Sequence, residues 1–239
     1  MNSVSGVFPR NRSRMARLAG CALLALSVSA CGVSKVDEVS VAWPGFKDGQ
    51  PVVLPSDPAQ CPDLTGVYQA TGVYRSGDKQ AVTLKDLRFF MTHALALSGM
   101  GDTPLPEWQS SPQATVAFTP GEQAWNLLAQ DGNGARSAGK FPLLNGQEDL
   151  AGLKGVADSR LLGGTHRYTG CTQGRLWISV RYDWRQYESM GVTRHVAMFR
   201  PDAGGLLVTV QRESDSIGLL PWYSNDSTLS QYWYAPAAH

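Results

Sequence analysis

Histidine, serine and cysteine are the side chains of this sequence that could act as metal ligands, general bases or nucleophiles. No histidines stand in an H-x-x-x-H pair and no cysteines have metal-ligand spacing, so we expect no metal site and no cofactor. The segment 96–100 lacks the glycines that flank the nucleophile of serine hydrolases, and no catalytic residue is predicted. His93 is expected to face solvent on a helix, and His195 to have an ordinary surface or cross-strand partner.

One cysteine, Cys31, stands in a pattern typical of lipid modification. In Leu26-Ser27-Val28-Ser29-Ala30-Cys31-Gly32, small residues precede a cysteine after an apolar stretch, which resembles a bacterial lipobox. The apolar run 18–30 is too short to span a bilayer and follows an arginine-rich segment without acidic residues. Residues 1–30 are therefore interpreted as a lipoprotein signal peptide that is removed. Cys31 becomes the first residue, carrying diacylglycerol and palmitate.

The charge of the remaining chain argues against several classes of partner. Removing residues 1–30 takes away four of the 21 basic residues and none of the 20 acidic ones, which leaves a net charge near −3. Nucleic-acid binding is not expected from such a chain. Membrane attachment is instead expected through the N-terminal lipid. Gly32 differs from the Asp that resembles an inner-membrane retention signal, so we expect the periplasmic side of the outer membrane.

Cys61 and Cys171 are the two cysteines that remain once Cys21 leaves with the signal peptide and Cys31 is lipidated. In an oxidising cell envelope these two are expected to form one disulfide. Two unpaired, buried thiols are the alternative.

The sequence predicts a lipidated N-terminus and tether over residues 31–60 and a globular β-rich domain over residues 61–239. The tether is rich in proline, but Trp43, Phe46 and 52–54 are apolar, so part of it is expected to pack on the domain. The domain begins at Cys61-Pro62-Asp63-Leu64-Thr65-Gly66-Val67-Tyr68. With the lipobox and the tether, this start resembles a group of small, uncharacterised proteobacterial envelope lipoproteins. The resemblance implies no activity.

Periodicity predicts mainly β structure with one helix. Thr83 and Asp86 fit a capping box, and apolar residues recur at helical spacing from Leu84 to Leu97. Further strands are predicted at 114–118, 124–129, 175–182, 192–200, 206–212 and 229–234. We expect a single α+β domain in which an antiparallel meander forms a curved sheet over the helix or a partly closed barrel.

The strand 175–182 carries the most prominent candidate for binding. Leu176, Ile178, Val180 and Tyr182 alternate with Arg175, Trp177, Ser179 and Arg181, which predicts one buried and one wetter face. Arg175, Trp177, Arg181 and Trp184 could hold an anionic glycan, a lipid headgroup or an acidic protein loop. Cross-strand pairing with acidic residues on a solvated face is the alternative. Trp222-Tyr223 and Tyr232-Trp233-Tyr234 could stack on sugar rings or pack in the core.

These features predict a non-catalytic envelope lipoprotein that binds a partner or supports the envelope. Three alternatives remain open: a small-ligand or glycan-binding β-barrel, an inhibitor or accessory subunit of another envelope protein, and a hydrolase whose site is built from dispersed residues.

Overall fold

A computed structural model describes residues 33–46, 51–79, 82–95, 97, 111–122, 124–142, 147–149, 166–218 and 222–238. Cys31 and the predicted signal peptide lie outside these residues. Among the described residues, no helix has both the length and the hydropathy needed to cross a membrane.

The described chain is mostly strand with one α-helix. The strands are β1 Val33–Val36, β2 Val39–Ala42, β3 Gly66–Gln69, β4 Val73–Gly77, β5 Thr115–Gly121, β6 Ala124–Gln130, β7 Arg136–Pro142, β8 Gln147–Asp149, β9 His166–Thr172, β10 Arg175–Gln186, β11 Ser189–Asp202, β12 Gly205–Ile217 and β13 Tyr223–Tyr234. The helix, α1, is Leu87–His93, and short 3-10 turns lie at Pro58–Gln60 and Val82–Lys85.

All strand pairs within the three sheets are antiparallel. A seven-stranded sheet has the order β4-β13-β12-β11-β10-β9-β8, a four-stranded sheet has the order β3-β5-β6-β7, and β1 and β2 form a hairpin. Strands β10 to β12 are the predicted meander and β13 is the predicted last strand, whereas β9 was not predicted. None of the described sheets closes into a barrel. The predicted fold class, a single mainly β domain with one helix, is confirmed.

Tight turns set the register of the long strands. Gln173-Gly174 joins β9 to β10 and Ala203-Gly204 joins β11 to β12, with positive φ at all four residues. Two-residue turns with this backbone match the twist of antiparallel strands, and glycine adopts positive φ without steric cost. The cross-strand rows described below depend on this register.

The main core lies between the seven-stranded sheet, the four-stranded sheet and α1. We call the side of the large sheet that carries Leu176, Ile178 and Val180 the inner face. These residues pack in one buried cluster with apolar residues of the small sheet and of the helix. The predicted helix start is wrong by one turn: Asp86, not Thr83, caps α1, and its side chain accepts a hydrogen bond from the backbone N–H of Phe89 at 2.9 Å.

The opposite side of the large sheet, the outer face, is covered by the N-terminal segment. Val36, Val39, Val41, Trp43, Val52 and Leu54 form a second buried cluster with Trp177, Val196 and Met198 of the sheet. Much of the predicted tether is therefore packed. The prediction that one face of β10 is exposed to water is wrong. Ser179 is fully buried and Arg181 nearly so, because the N-terminal segment lies over the strand.

The structure joins Cys61 and Cys171 in one disulfide, the pairing expected from the cysteine count. The bond links the end of the covering segment to β9. Next to it, the backbone N–H of Asp57 donates to the carbonyl oxygen of Cys171 at 2.8 Å. The N-terminal segment is thus fastened to the sheet by covalent and hydrogen bonds.

Candidate functional site

The four residues predicted to form a binding surface do not lie on one surface. Arg175, Trp177 and Arg181 are on the outer face, whereas Trp184 falls in phase with Val180 on the inner face. Trp177 is only 2 % exposed, and its indole N–H donates to the carbonyl oxygen of Pro55 at 3.2 Å. The prediction of an exposed arginine and tryptophan face is therefore wrong.

The arginines of the outer face are bound by acidic residues of this chain. Asp37, in the turn between β1 and β2, accepts hydrogen bonds from Nε of Arg175 at 2.7 Å and Nε of Arg200 at 3.0 Å. Arg194 pairs with Asp215 at 3.1 Å, and both side chains are buried. The alternative interpretation of these arginines was pairing with acidic residues on a solvated face. They do pair with acidic residues, but mostly where the N-terminal segment packs on the sheet.

A different site lies on the inner face, where the sheet extends beyond the main core and passes α1. Here a cleft of about 600 Å³ opens between the helix and the strands. Register places His195 of β11 opposite Arg212 of β12, and Arg212 opposite Thr228 of β13, so the three side chains form a row across the cleft. Tyr182 of β10 borders the same space.

The remaining walls of the cleft are largely apolar. Leu84, Phe90 and Ala94 border it from the helix side, and Val210 borders it from the sheet. At the rim, the rings of Phe89 and His93 are stacked with centroids 3.9 Å apart. The prediction that His93 is exposed is confirmed. A volume of this size, with apolar walls and a few convergent polar groups, is typical of small-molecule sites.

His195 is the most unusual polar group in the cleft. It is 6 % exposed, and within the described part of the chain its Nδ1 has no hydrogen-bond partner. Burial, and then the charge of Arg212, lowers the pKa of His195 to about 3, so the imidazole is neutral at ordinary pH. The Tyr182 ring lies against it with centroids 5.7 Å apart, and burial raises the pKa of that phenol.

Two other polar groups of the cleft, Arg212 and Ser230, have hydrogen-bond partners within the chain. Arg212 donates to Asp226 at 3.0 Å in an ion pair that is partly exposed to solvent. The hydroxyl of Ser230 donates to the carbonyl oxygen of Asp78 at 2.8 Å. The described residues contain no group of three or more His, Cys, Asp or Glu that could hold a metal ion.

This arrangement favours binding over proton transfer. A general base works best when its pKa is near the operating pH, and the pKa of His195 is far below it. The hydroxyl of Ser230 forms its hydrogen bond with a backbone carbonyl oxygen rather than with an imidazole. The cleft offers a neutral imidazole, a phenol and one guanidinium beside an apolar wall, which suits the capture of a small amphipathic molecule.

Sequence reasoning missed this site because its two sides are distant in the chain. The strand alternation does carry a signal: Tyr182 continues the phase of Val180, and His195 that of Ala197, so both are on the core side. Nothing in the local pattern indicates that residues 84–94 pack across them. The aromatic pairs are divided: Tyr232 and Tyr234 are in the core, whereas Trp222 and Tyr223 are exposed.

Comparison of the chain with protein-family models, curated proteins and solved structures finds no match to any of them. The function proposed below therefore depends on the motif at Cys31 and on the geometry of the cleft.

Proposed function

We propose that this protein is a lipid-anchored, periplasm-facing lipoprotein of the outer membrane that binds a small amphipathic ligand and does no chemistry on it. The observation that carries the binding role is the cleft of about 600 Å³ bordered by the buried His195, whose Nδ1 has no partner in the described chain. A buried polar atom without a partner is costly, and a ligand that supplies a hydrogen bond recovers that cost.

The chemistry of the cleft narrows the class of ligand. An apolar ring or short chain fits against Phe90 and Val210, and a hydroxyl, amine or carbonyl fits beside His195 and Tyr182. The charge of Arg212 is compensated by Asp226, and Asp78 adds a second carboxylate to the border. A ligand without net negative charge is therefore favoured.

The lipid anchor is supported by the sequence around Cys31 and by the described start of the fold. The lipobox-like run ends at Gly32, and β1 begins at Val33. The alternative of an inhibitor or accessory subunit loses support, because the arginine and tryptophan surface on which it was based is buried. The same holds for an anionic glycan as the partner of that surface.

Binding of the uncharged fluorescent probe N-phenyl-1-naphthylamine to residues 32–239 tests the cleft. Thr228→Phe places a ring in the cleft and should weaken binding by about tenfold or more, which corresponds to roughly 1.4 kcal/mol. Leu229→Phe is the matched control, since Leu229 is the next residue of β13 and projects from the opposite face.

A second variant separates the polar contact from the apolar wall. His195→Phe keeps a ring against Tyr182 but removes the buried imidazole nitrogens, so it should weaken probe binding without closing the cleft. Equal affinities for the wild type, Thr228→Phe and Leu229→Phe would exclude the cleft as the binding site. The anchor is tested separately, because Cys31→Ala should abolish incorporation of labelled palmitate.

A further inference from the structure

One end of the large sheet exposes a cluster of large apolar and aromatic side chains. It consists of Tyr187, Met190, Ile217, Trp222 and Tyr223, which we call the aromatic end. Tyr187 is 90 % exposed, Trp222 74 % and Tyr223 59 %. They belong to the turn between β10 and β11 and to the facing ends of β12 and β13, where Met190 pairs with Ile217 and Ile217 with Tyr223.

The opposite end of the same strands has a different character. Its two turns, Gln173-Gly174 and Ala203-Gly204, carry only polar or small residues. The turn at the aromatic end has Tyr187 instead, with φ of 53°, a backbone conformation that is unfavourable for a bulky residue. An unfavourable backbone that holds an aromatic ring in water indicates that the ring has a use there.

Two aromatic rings at or beside this end, those of Tyr223 and Trp184, have contacts within the fold. The hydroxyl of Tyr223 donates to Asp215, the acidic partner of Arg194, and Phe46 meets the Tyr223 ring edge-on at 6.3 Å. Trp184 donates to Thr193 and lies against Gly191, where a Cβ atom would clash with the indole. The cluster is therefore a built surface that projects from the fold.

The exposed charges around the aromatic end cancel. Arg185 and Glu188 flank Tyr187, and both are exposed. Asp215 is buried in its pair with Arg194. A partner recognised through a strong charge is not favoured, whereas the interfacial layer of a bilayer accepts tryptophan and tyrosine with little dependence on charge.

The N-terminal strand relates this end to the anchor. Strand β1 runs from Val33 towards the Asp37 turn, which contacts Arg175 and Arg200 at the far end of the sheet, so Val33 is the end of β1 nearer to the aromatic end. Ser34 donates to Gln211 in the middle of β12, six residues and about 20 Å from Ile217. Cys31 is two residues from Val33 and can lie at most about 7 Å from it.

We infer that the aromatic end lies in the interfacial layer of the membrane that holds the acyl chains of Cys31, so that the lipid surface is its partner. This inference rests on the proposed lipid anchor. The anchor and the aromatic end then form two contacts on one side of the molecule. Together they fix the orientation of the domain, which a flexible tether alone would leave free.

Brominated lipids, which quench tryptophan fluorescence on contact, test this orientation. The lipidated full-length mature protein is reconstituted in phosphatidylethanolamine and phosphatidylglycerol vesicles, with and without dibrominated acyl chains. We expect the wild type to lose fluorescence in brominated vesicles and Trp222→Phe to show a smaller loss. Trp233→Phe is the matched control, because Trp233 lies near the other end of β13, where its indole N–H donates to the carbonyl oxygen of Asp202, so its loss of fluorescence should equal that of the wild type.

The possible outcomes separate the two proposals. Labelled palmitate on Cys31 combined with equal quenching in the wild type and Trp222→Phe would overturn the orientation and leave the anchor intact. Absence of the label would remove the anchor and this inference together. If soluble peptidoglycan fragments, rather than brominated lipid, change the Trp222 contribution, the aromatic end binds sugar rings and the membrane assignment is wrong.

Discussion

Glu213 is the carboxyl group whose protonation is most affected by the fold among the described residues with a shifted pKa. It lies on the outer face of β12, two residues from Asp215. Burial, and then the negative charge of Asp215, raises the pKa of Glu213 from 4.5 to about 7, although Arg194 acts in the opposite direction. The folded protein therefore holds this proton more tightly than the unfolded chain does.

This shift predicts how stability depends on pH. Because folding raises the pKa of Glu213, its protonated carboxyl group contributes fully to the stability of the fold below about pH 4.5. That contribution is lost as the pH rises through about 7. The side chain of Glu213→Gln cannot ionise. At pH 8 the free energy of unfolding of this variant should therefore exceed that of the wild type by about 1 kcal/mol, a value that allows for the partial exposure of the group. Near pH 4.5 the two proteins should be alike.

Urea denaturation at several pH values measures the effect. Glu188→Gln is the control, since Glu188 is exposed at the turn between β10 and β11, and the stability of this variant should follow the wild type at every pH. A Glu213→Gln protein whose pH dependence between 4.5 and 8 equals that of the wild type would show that the carboxyl group is not shifted by the fold.

At the scale of elements, β10 shows what local pattern could and could not predict. The alternation of Ile178 and Val180 with Ser179 and Arg181 correctly indicated an antiparallel strand and its core side. It could not indicate that residues 33–54 lie over the other side, because that contact depends on residues more than 100 positions away. Apolar and polar residues can alternate along a strand that is buried on both sides, provided that the polar residues have hydrogen-bond or charge partners.

The helix illustrates a smaller error of the same kind. The spacing of Leu87, Phe90, Met91 and Ala94 predicted the buried stripe, and all four are buried. The start was misplaced because Thr83 and Asp86 both suit a helix cap, and only the structure shows that the carboxylate of Asp86 makes the bond. Sequence thus predicted the helix and the strands β5, β6 and β10 to β13, but not β1, β2, β4 or β7 to β9. The cleft and the second cluster depend on how distant elements meet.

The hairpin β1–β2 is fastened to the sheet by its turn, and that contact yields a prediction. Asp37→Asn suits the local φ of 46° but removes the charge shared by Arg175 and Arg200. Both arginines are largely buried, so we expect the free energy of unfolding to fall by about 1–3 kcal/mol.

The neighbouring residue provides the control for this change. Glu38→Gln alters an exposed pair with Lys35 at 3.9 Å and should change stability by less than about 0.5 kcal/mol. Equal urea midpoints for Asp37→Asn and the wild type would mean that the turn does not hold the hairpin in solution.

At the scale of the whole molecule, the N-terminal segment determines where the domain begins. Sequence analysis placed the start at residue 61, but the second buried cluster takes six of its members from residues before that point. The C-terminal segment plays a comparable part, since residues 235–237 follow β13 and bond to β3, joining the seven-stranded sheet to the four-stranded one. The described fold therefore depends on both ends of the chain.

This organisation predicts that a chain beginning at residue 61 is much less stable than one beginning at residue 33. Trp177, Val196 and Met198 would be exposed in the shorter chain, and each fully buried side chain of this kind contributes about 1.5–3 kcal/mol. Arg175 and Arg200 would also lose Asp37, and Cys171 would lose its bonds to Ser56 and Asp57. We expect the loss to amount to several kcal/mol in urea denaturation.

The chain beginning at residue 33 should in turn match the one beginning at Gly32, because the hairpin begins at Val33, which pairs with Ala42. If the chain beginning at residue 61 proves as stable as both, the segment is a tether that only rests on the sheet. If it is destabilised as expected, the folded domain extends to within two residues of Cys31. A lipid attached there would hold the domain close to the membrane, because only Gly32 separates the modified residue from the first strand.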